Sequence, residues 1–445
     1  MKNFNIAPLS ALAADNTLPA RDARLGAPPA VPTGVPNSAP TGAPTGAPTD
    51  IPAGAVADDV AARVEPALDN DPVGADPAEI NAWLRLCHAP GLPPAAVRRL
   101  LAAFGPPEAI FRASRAELAG VLPSDLVSRL LAPVSAVLMA QIARTLDWAG
   151  RPGCAVVTLA QTAYPRALLT LGDTPPILYC RGDIRLPNRA GAVAAALVGS
   201  RRATPQGRDN ARHFARALGD AGVTVVSGLA TGIDAAAHEG ALETVGGTCA
   251  VVGTGADLVY PTRHQALAER IAERGLLMSA FPVGTPPRPD HFPRRNRLIA
   301  ALARCTVVVE AATHSGSLIT ARLAGELGRD VLAVPGSIHA PQSRGCHALI
   351  RDGATLASSP ADVLEALGIM PPVDAACVTP TALPPDTAAV LEALGYDPVS
   401  VDTLCGRTGM AITAVLAHLS VLELDGRIAR LPGGRFARST AQGVG

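Results

Sequence analysis

Aromatic residues are scarce in this chain of 445 residues, at 3% of the total, so its core must be built from Ala, Val and Leu. Lysine is almost missing: Lys2 is the one lysine among 38 basic residues. That bias reads as genomic composition and says little about function. The eight cysteines (87, 154, 180, 249, 305, 346, 377 and 405) stand singly, with no Cys-x-x-Cys, which argues against a zinc ribbon or a dithiol centre. They read as small buried apolar residues in a reducing compartment. No apolar run of about 18 residues is free of Gly, Pro or charge, so no membrane span is expected. Met1–Ala14 has one positive charge and a Pro-interrupted apolar run, a poor match to a signal sequence, and a cytoplasmic location is expected. The nine histidines show no His-x-x-x-His spacing, and neither a Walker-type Gly-x-x-x-x-Gly-Lys nor a Gly-x-Ser-x-Gly elbow occurs. Metal, cofactor and catalytic residues are therefore all expected to be none.

What is present is organised around Ser227-Gly-Leu-Ala-Thr-Gly-Ile-Asp234. Val223–Val226 before it reads as a buried strand and Ile233–Leu242 after it as a helix. Strand, small-residue turn and helix together make an anion cradle, because glycines let a ligand approach and a helix N-terminus offers free N–H groups. Net charge is zero, but residues 190–355 carry a basic excess, which favours a polyanionic partner.

The remainder divides by composition. Residues 1–75 are Pro-, Ala- and Gly-rich and read as a disordered tail. Residues 76–148 show short apolar helical patterns around Pro90-Gly-Leu-Pro-Pro94, resembling helix-hairpin-helix or SAM-like modules. From 150 to 370, strands and helices alternate: Val193–Val198, Val223–Val226, Thr248–Val252, Leu276–Ser279, Thr306–Glu310 and Val331–Val334 are the expected strands. That order predicts a parallel, doubly wound α/β sheet of Rossmann-like type with ligands beyond the strands' carboxyl ends. Residues 371–385 form a Pro-rich linker. Three helices and a small hairpin over 386–438 follow the winged-helix plan, and 439–445 is a tail.

Three further motifs carry chemistry. Gly199-Ser200-Arg201 closes the first strand of the alternating region and suits a phosphate on backbone N–H groups and a charge-assisted arginine. His291-Phe-Pro-Arg-Arg-Asn-Arg-Leu298 concentrates Arg294, Arg295, Asn296 and Arg297 before an apolar helix, which suits a row of phosphates. Ser315-Gly316-Ser317 opens another helix and reads as a second anion-binding N-terminus. Glu310 is open between a catalytic carboxylate and a buried structural acid paired with an arginine. Tyr260 and Phe292 are candidates to stack a base or to fill core.

Taken in order, Val198-Gly-Ser-Arg201, Ser227–His238, Gly253–Pro261, Phe292–Arg297, Val309–Ala321 and Ala333–Ser337 resemble the DNA-processing protein A (DprA/Smf) family over about 160–355. The resemblance implies an extended Rossmann-like domain that binds single-stranded DNA in a basic pocket, forms a homodimer and loads the RecA recombinase during natural transformation, without catalysis. Carried over by position, the pocket comprises Gly199, Ser200, Arg201, Ser227, Gly228, Leu229, Ala230, Thr231 and Gly232, with Arg294–Arg297 and Ser315–Ser317 beside it. Ala280, where the family often has Glu, and His347, where Asn is common, are departures. The competing reading is a nucleotide hydrolase of phosphoribohydrolase type. Its Pro-Gly-Gly-x-Gly-Thr turn and helical glutamate are missing from Ser315–Thr320.

Overall fold

The computed structural model describes residues 76–370 and 383–439. The expectations for 1–75, for 371–382 within the linker and for 440–445 lie outside the described residues. Six helices come first: α1 (Pro77–Cys87), α2 (Pro94–Phe104), α3 (Pro107–Arg112), α4 (Arg115–Ala119), α5 (Ser124–Leu130) and α6 (Ala136–Ala149). Proline at the first helical position of α1, α2 and α3 gives up an N–H that would be orphaned anyway. Ser114 and Glu117 close a reciprocal capping box on α4. Leu86, Leu100, Ile110 and Leu118 are fully buried and form a core of these helices' own. The opposite faces of α1 and α6, with Trp83, Leu84 and Trp148, pack instead on Val156 and Tyr179 of the sheet.

The sheet has nine strands: β1 (Cys154–Thr158), β2 (Ile177–Gly182), β3 (Val193–Val198), β4 (Val223–Ser227), β5 (Thr248–Val251), β6 (Leu276–Ser279), β7 (Cys305–Val308), β8 (Asp330–Ala333) and β9 (Thr355–Leu356). Their order is β1-β2-β6-β5-β4-β3-β7-β8-β9. Strands β3 to β9 run parallel, as alternation predicts. The first two do not: β1 pairs with β2 and β2 with β6 antiparallel. The reason is local. Only a 3-10 turn at Arg166–Thr170 lies between β1 and β2, and without a crossover helix the chain reverses instead of recrossing the sheet.

Helices α7 (Pro205–Asp220), α8 (Ile233–Ala241), α9 (Gln265–Arg274), α10 (His291–Leu302), α11 (Gly316–Glu326), α12 (Arg344–Arg351) and α13 (Pro360–Leu367) cover both faces. The period of two in β3 decides which: Ala195 and Leu197 face α7, α8 and α13, while Ala196 and Val198 face α10 and α11. Chain order reverses between β3 and β7, so the crevice beyond their carboxyl ends is the topological switch point, where open α/β sheets bind ligands.

After residue 383, α14 (Pro385–Leu394), β10 (Val399–Ser400), α15 (Val401–Thr408), α16 (Ile412–Leu424), β11 (Ile428–Leu431) and β12 (Arg435–Arg438) form a winged-helix unit around Val390, Leu404, Leu419 and Phe436. Strand β10 pairs with β12 and enlarges the expected hairpin to three strands. Among the described residues no single helix is long and apolar enough to cross a membrane. The seven described cysteines are free thiols. Burial pushes those of Cys249, Cys305 and Cys346 up to about 12, which leaves them protonated and inert at neutral pH.

Candidate functional site

The two glycine-bearing loops after β3 and β4 are locked into one body. Ile233 N–H donates to the Ser200 carbonyl at 3.2 Å, and the Thr231 hydroxyl donates to the Arg201 carbonyl at 3.0 Å. Gly232 holds φ at +82°, and a Cβ there would lie 2.2 Å from the Ser200 carbonyl oxygen, so both dihedral and space demand glycine. From the other side of the switch point, Ser200 N–H donates to the Glu310 carbonyl at 2.7 Å.

The chain's own carboxylates take some of the N–H groups around both loops. Gly228 N–H and Ala230 N–H donate to Asp234 Oδ2 at 3.2 and 3.3 Å. Glu310 accepts from Thr204 N–H at 3.0 Å and from the Thr204 hydroxyl, so its carboxylate caps the start of α7. Glu310 is thus structural, but its partner is a helix N-terminus and not an arginine. Ser315 likewise caps α11 by accepting from Ser317 N–H at 3.4 Å. Each acid sits where the helix dipole favours a negative charge, which is also where a phosphate would bind.

Beneath the β4 loop runs a buried polar layer. Leu229 N–H donates to His238 Nε2 at 3.3 Å, His238 Nδ1 lies 2.7 Å from Thr248 Oγ1, and the Thr248 hydroxyl donates to the Val225 carbonyl at 2.8 Å. That chain requires the neutral ring with its proton on Nδ1. Burial, reinforced by the charge of Arg295, holds the His238 pKa down to about 3. Asp234 and Arg295 face each other at 3.9 Å with side chains 7% and 6% exposed. Burial pushes the Asp234 carboxyl upward, opposed by Arg295 and the two N–H donors.

These contacts sort the expected site residues. Ser227, Gly228, Leu229, Arg295 and Ser317 are buried. The Ser227 hydroxyl is spent on the Leu197 carbonyl at 2.6 Å. The helical phase of Arg295 turns it under the loop toward Asp234, and a Cβ at Gly228 would collide with its guanidinium. Ser200, Ala230, Thr231 and Gly232 are half-buried at the surface, and Arg201 and its neighbour Arg202 are exposed. Arg294 is exposed on another face of α10, while Asn296 donates to the Gly316 carbonyl at 3.5 Å and Arg297 to Asp173 at 2.7 Å.

An aromatic platform completes the rim. The Arg201 guanidinium lies 5.4 Å from the centroid of Phe292, whose other neighbour is Arg295 at 5.8 Å. Tyr260, 46% exposed, sits 5.9 Å from Phe292. Among the described residues the Arg201 guanidinium has no hydrogen-bond or ion-pair partner and lies only over this ring. The surface therefore offers a free planar cation, two adjacent π-faces and the Thr231 loop within one patch. That set suits a base stacked on the rings with its phosphate on arginine. The roles of Asp234, His238 and Arg202 escaped the sequence reading. The spacing of Asp234 and His238, four residues apart on one helix directly after the glycine turn, is the signal that was available. Of the two departures noted above, His347 bonds the Gly336 carbonyl at 3.0 Å and braces the Pro335–Ser337 turn, and Ala280 packs against the core.

Comparison with known proteins agrees with this picture. Residues 155–368 match the family of DNA recombination-mediator protein A, and 374–434 match the DprA winged helix domain. Protein Smf of Escherichia coli is 40% identical over 303 residues, covering 66% of this chain and 80% of its own. Protein Smf of Synechocystis is 36% identical over 309 residues, covering 62% and 78%. The crystal structure of DNA processing protein A from Streptococcus pneumoniae superposes with a TM-score of 0.55 at 34% identity, over 64% of this chain and 97% of that one.

Proposed function

Because the chain belongs to the DNA recombination-mediator protein A family, we propose that it binds single-stranded DNA at the carboxyl edge of its sheet and delivers the strand to a RecA-type recombinase in DNA recombination and transformation. The observation that carries this reading is the unpaired, exposed Arg201 over Phe292, beside Tyr260. Phosphates rest on Arg201, Arg202 and Arg294, bases lie on Phe292 and Tyr260, and Ser200, Thr231 and Gly232 form the floor. Asp234, His238 and Arg295 hold the floor in shape from below. Arginines and ring faces read backbone and π-surface, so sequence preference is weak and single strands are favoured over duplex, whose bases are already stacked.

The role is binding without catalysis. Glu310 and Asp234 accept from backbone N–H groups and serve to fix the loops in shape. Partnership with RecA, a homodimeric state and a cytoplasmic location follow from the family reading.

The test is binding of labelled single-stranded and duplex oligonucleotides across a salt series, for wild type and Arg201→Ala. Losing one phosphate contact lowers the slope of log K against log salt by about 0.7 for a single strand and weakens binding at every salt concentration. Identical curves for the two proteins remove Arg201 from the site. Turnover of a nucleotide by the wild type revives the hydrolase.

A further inference from the structure

The carboxyl edge does not end at the aromatic platform. Helix α10 carries Phe292 and Arg295 on one side, while Arg294, Arg297 and Leu298, at helical spacing i, i+3 and i+4, turn to another. That second side lines a cleft of about 810 Å³ between α2 and the sheet. Register places the cleft along the same edge: Tyr179 of β2 pairs with Ser279, the last residue of β6, and Phe281 follows two residues on. Phe281 stacks on His291 at 4.1 Å, so the first turn of α10 forms a continuous wall between platform and cleft.

The cleft is apolar inside and cationic at its mouth. Leu101, Pro176 and Phe281 form its walls, and Arg98, Arg294 and Arg297 its rim. The one acid at the rim, Asp173, is taken by Arg297 at 2.7 Å. Among the described residues the guanidinium groups of Arg98 and Arg294 have no hydrogen-bond or ion-pair partner. The lining also includes Tyr179, whose buried hydroxyl has no hydrogen-bond partner. A volume within the range of roughly 300–1,000 Å³ seen for small-ligand sites, apolar walls and two free guanidinium groups outside describe a receptor for a flat heterocycle bearing a phosphate.

We propose that this cleft receives one nucleotide of the bound strand, its base between Leu101, Pro176 and Phe281 and its phosphate on Arg98 and Arg294. The strand then runs along the carboxyl edge from Arg201, over the start of α10, to the helical region. This rests on the single-strand reading above and extends it, giving α2 a direct part in binding.

The experiment measures anisotropy of labelled oligo-dT of increasing length, from about 6 to about 20 nucleotides, spanning the usual single-strand site sizes. It uses the full chain as wild type, Leu101→Trp, which fills the cleft, and Arg98→Glu, an exposed change that spares the core. Wild-type affinity rises with length until the strand reaches the cleft. Both variants match wild type on the shortest oligomer and fall roughly tenfold short on the longest, the loss expected for one stacked base or more. Arg98→Glu keeps the test valid where Leu101→Trp lowers the melting temperature. Equal length dependence in all three proteins overturns the proposal. So does dTMP binding that Leu101→Trp abolishes while the length series stays unchanged, which would assign the cleft to free nucleotide. Arg201→Ala on the shortest oligomer separates the readings: no effect there refutes the platform, while the length increment still judges the cleft.

Discussion

Arg294, Arg295 and Arg297 look equivalent in the sequence, yet the helix gives each a different task. Arg294 is exposed at the cleft mouth, Arg295 is buried against Asp234, and Arg297 is tied to Asp173. A hundred degrees of rotation per residue makes the difference, and helical phase against a glycine loop is not visible in a run of arginines. The glycine turns were legible, but not the acids that bond them: Asp234 lies two residues past Gly232 in the same motif, and Glu310 comes from the end of β7, more than a hundred residues on. His238 supplies the residue-level prediction. In the fold burial, reinforced by the charge of Arg295, holds the ring neutral down to about 3; unfolded, it titrates near 6.5. Between those values the unfolded chain binds a proton that the fold refuses. His238 therefore costs nothing above about pH 6.5 and erodes stability as pH falls from there toward 3, by about 1.4 kcal/mol per pH unit. Denaturant unfolding at several pH values for wild type and His238→Gln checks this: the variant has the shallower loss on acidification, and parallel curves would contradict the assignment.

At the scale of elements, strands were the most legible feature. Apolar runs between turn residues marked β3 to β8 within a residue or two, since both faces of a parallel strand are buried. Strand direction at the edge was not legible, because it depends on whether a crossover helix forms between β1 and β2. Glu310 shows how an element end can imitate a catalytic site: it lies at a strand's carboxyl end, beside a glycine turn, and caps α7. Glu310→Ala is expected to lower stability by about 1–2 kcal/mol, as loss of a side-chain cap does, while leaving the slope of DNA affinity against salt unchanged. Chemical denaturation with the oligonucleotide titration of the same variant tests both halves. A changed slope with unchanged stability would return Glu310 to the binding surface.

At the scale of the whole molecule, the carboxyl edge of the sheet gathers the exposed features of the platform, and α2 adds Arg98 beside it. Loops after β3, β4, β5 and β6 deliver Arg201, Thr231, Tyr260 and Phe281 to that edge, and α10 crosses it with Phe292 and Arg294. The winged-helix unit adds arginines at 427, 430, 435 and 438, of which Arg430 and Arg438 lie over Phe436 and Tyr396. A strand bound mainly there would make the edge incidental. The most direct measurement is photocrosslinking of a single-stranded oligonucleotide carrying 5-bromodeoxyuridine to the full chain, with the adducts mapped by peptide mass. Adducts at Phe292 or Tyr260, lost on competition with unlabelled strand, are the expected result. Adducts confined to residues 383–439, with none between 199 and 297, would contradict the account.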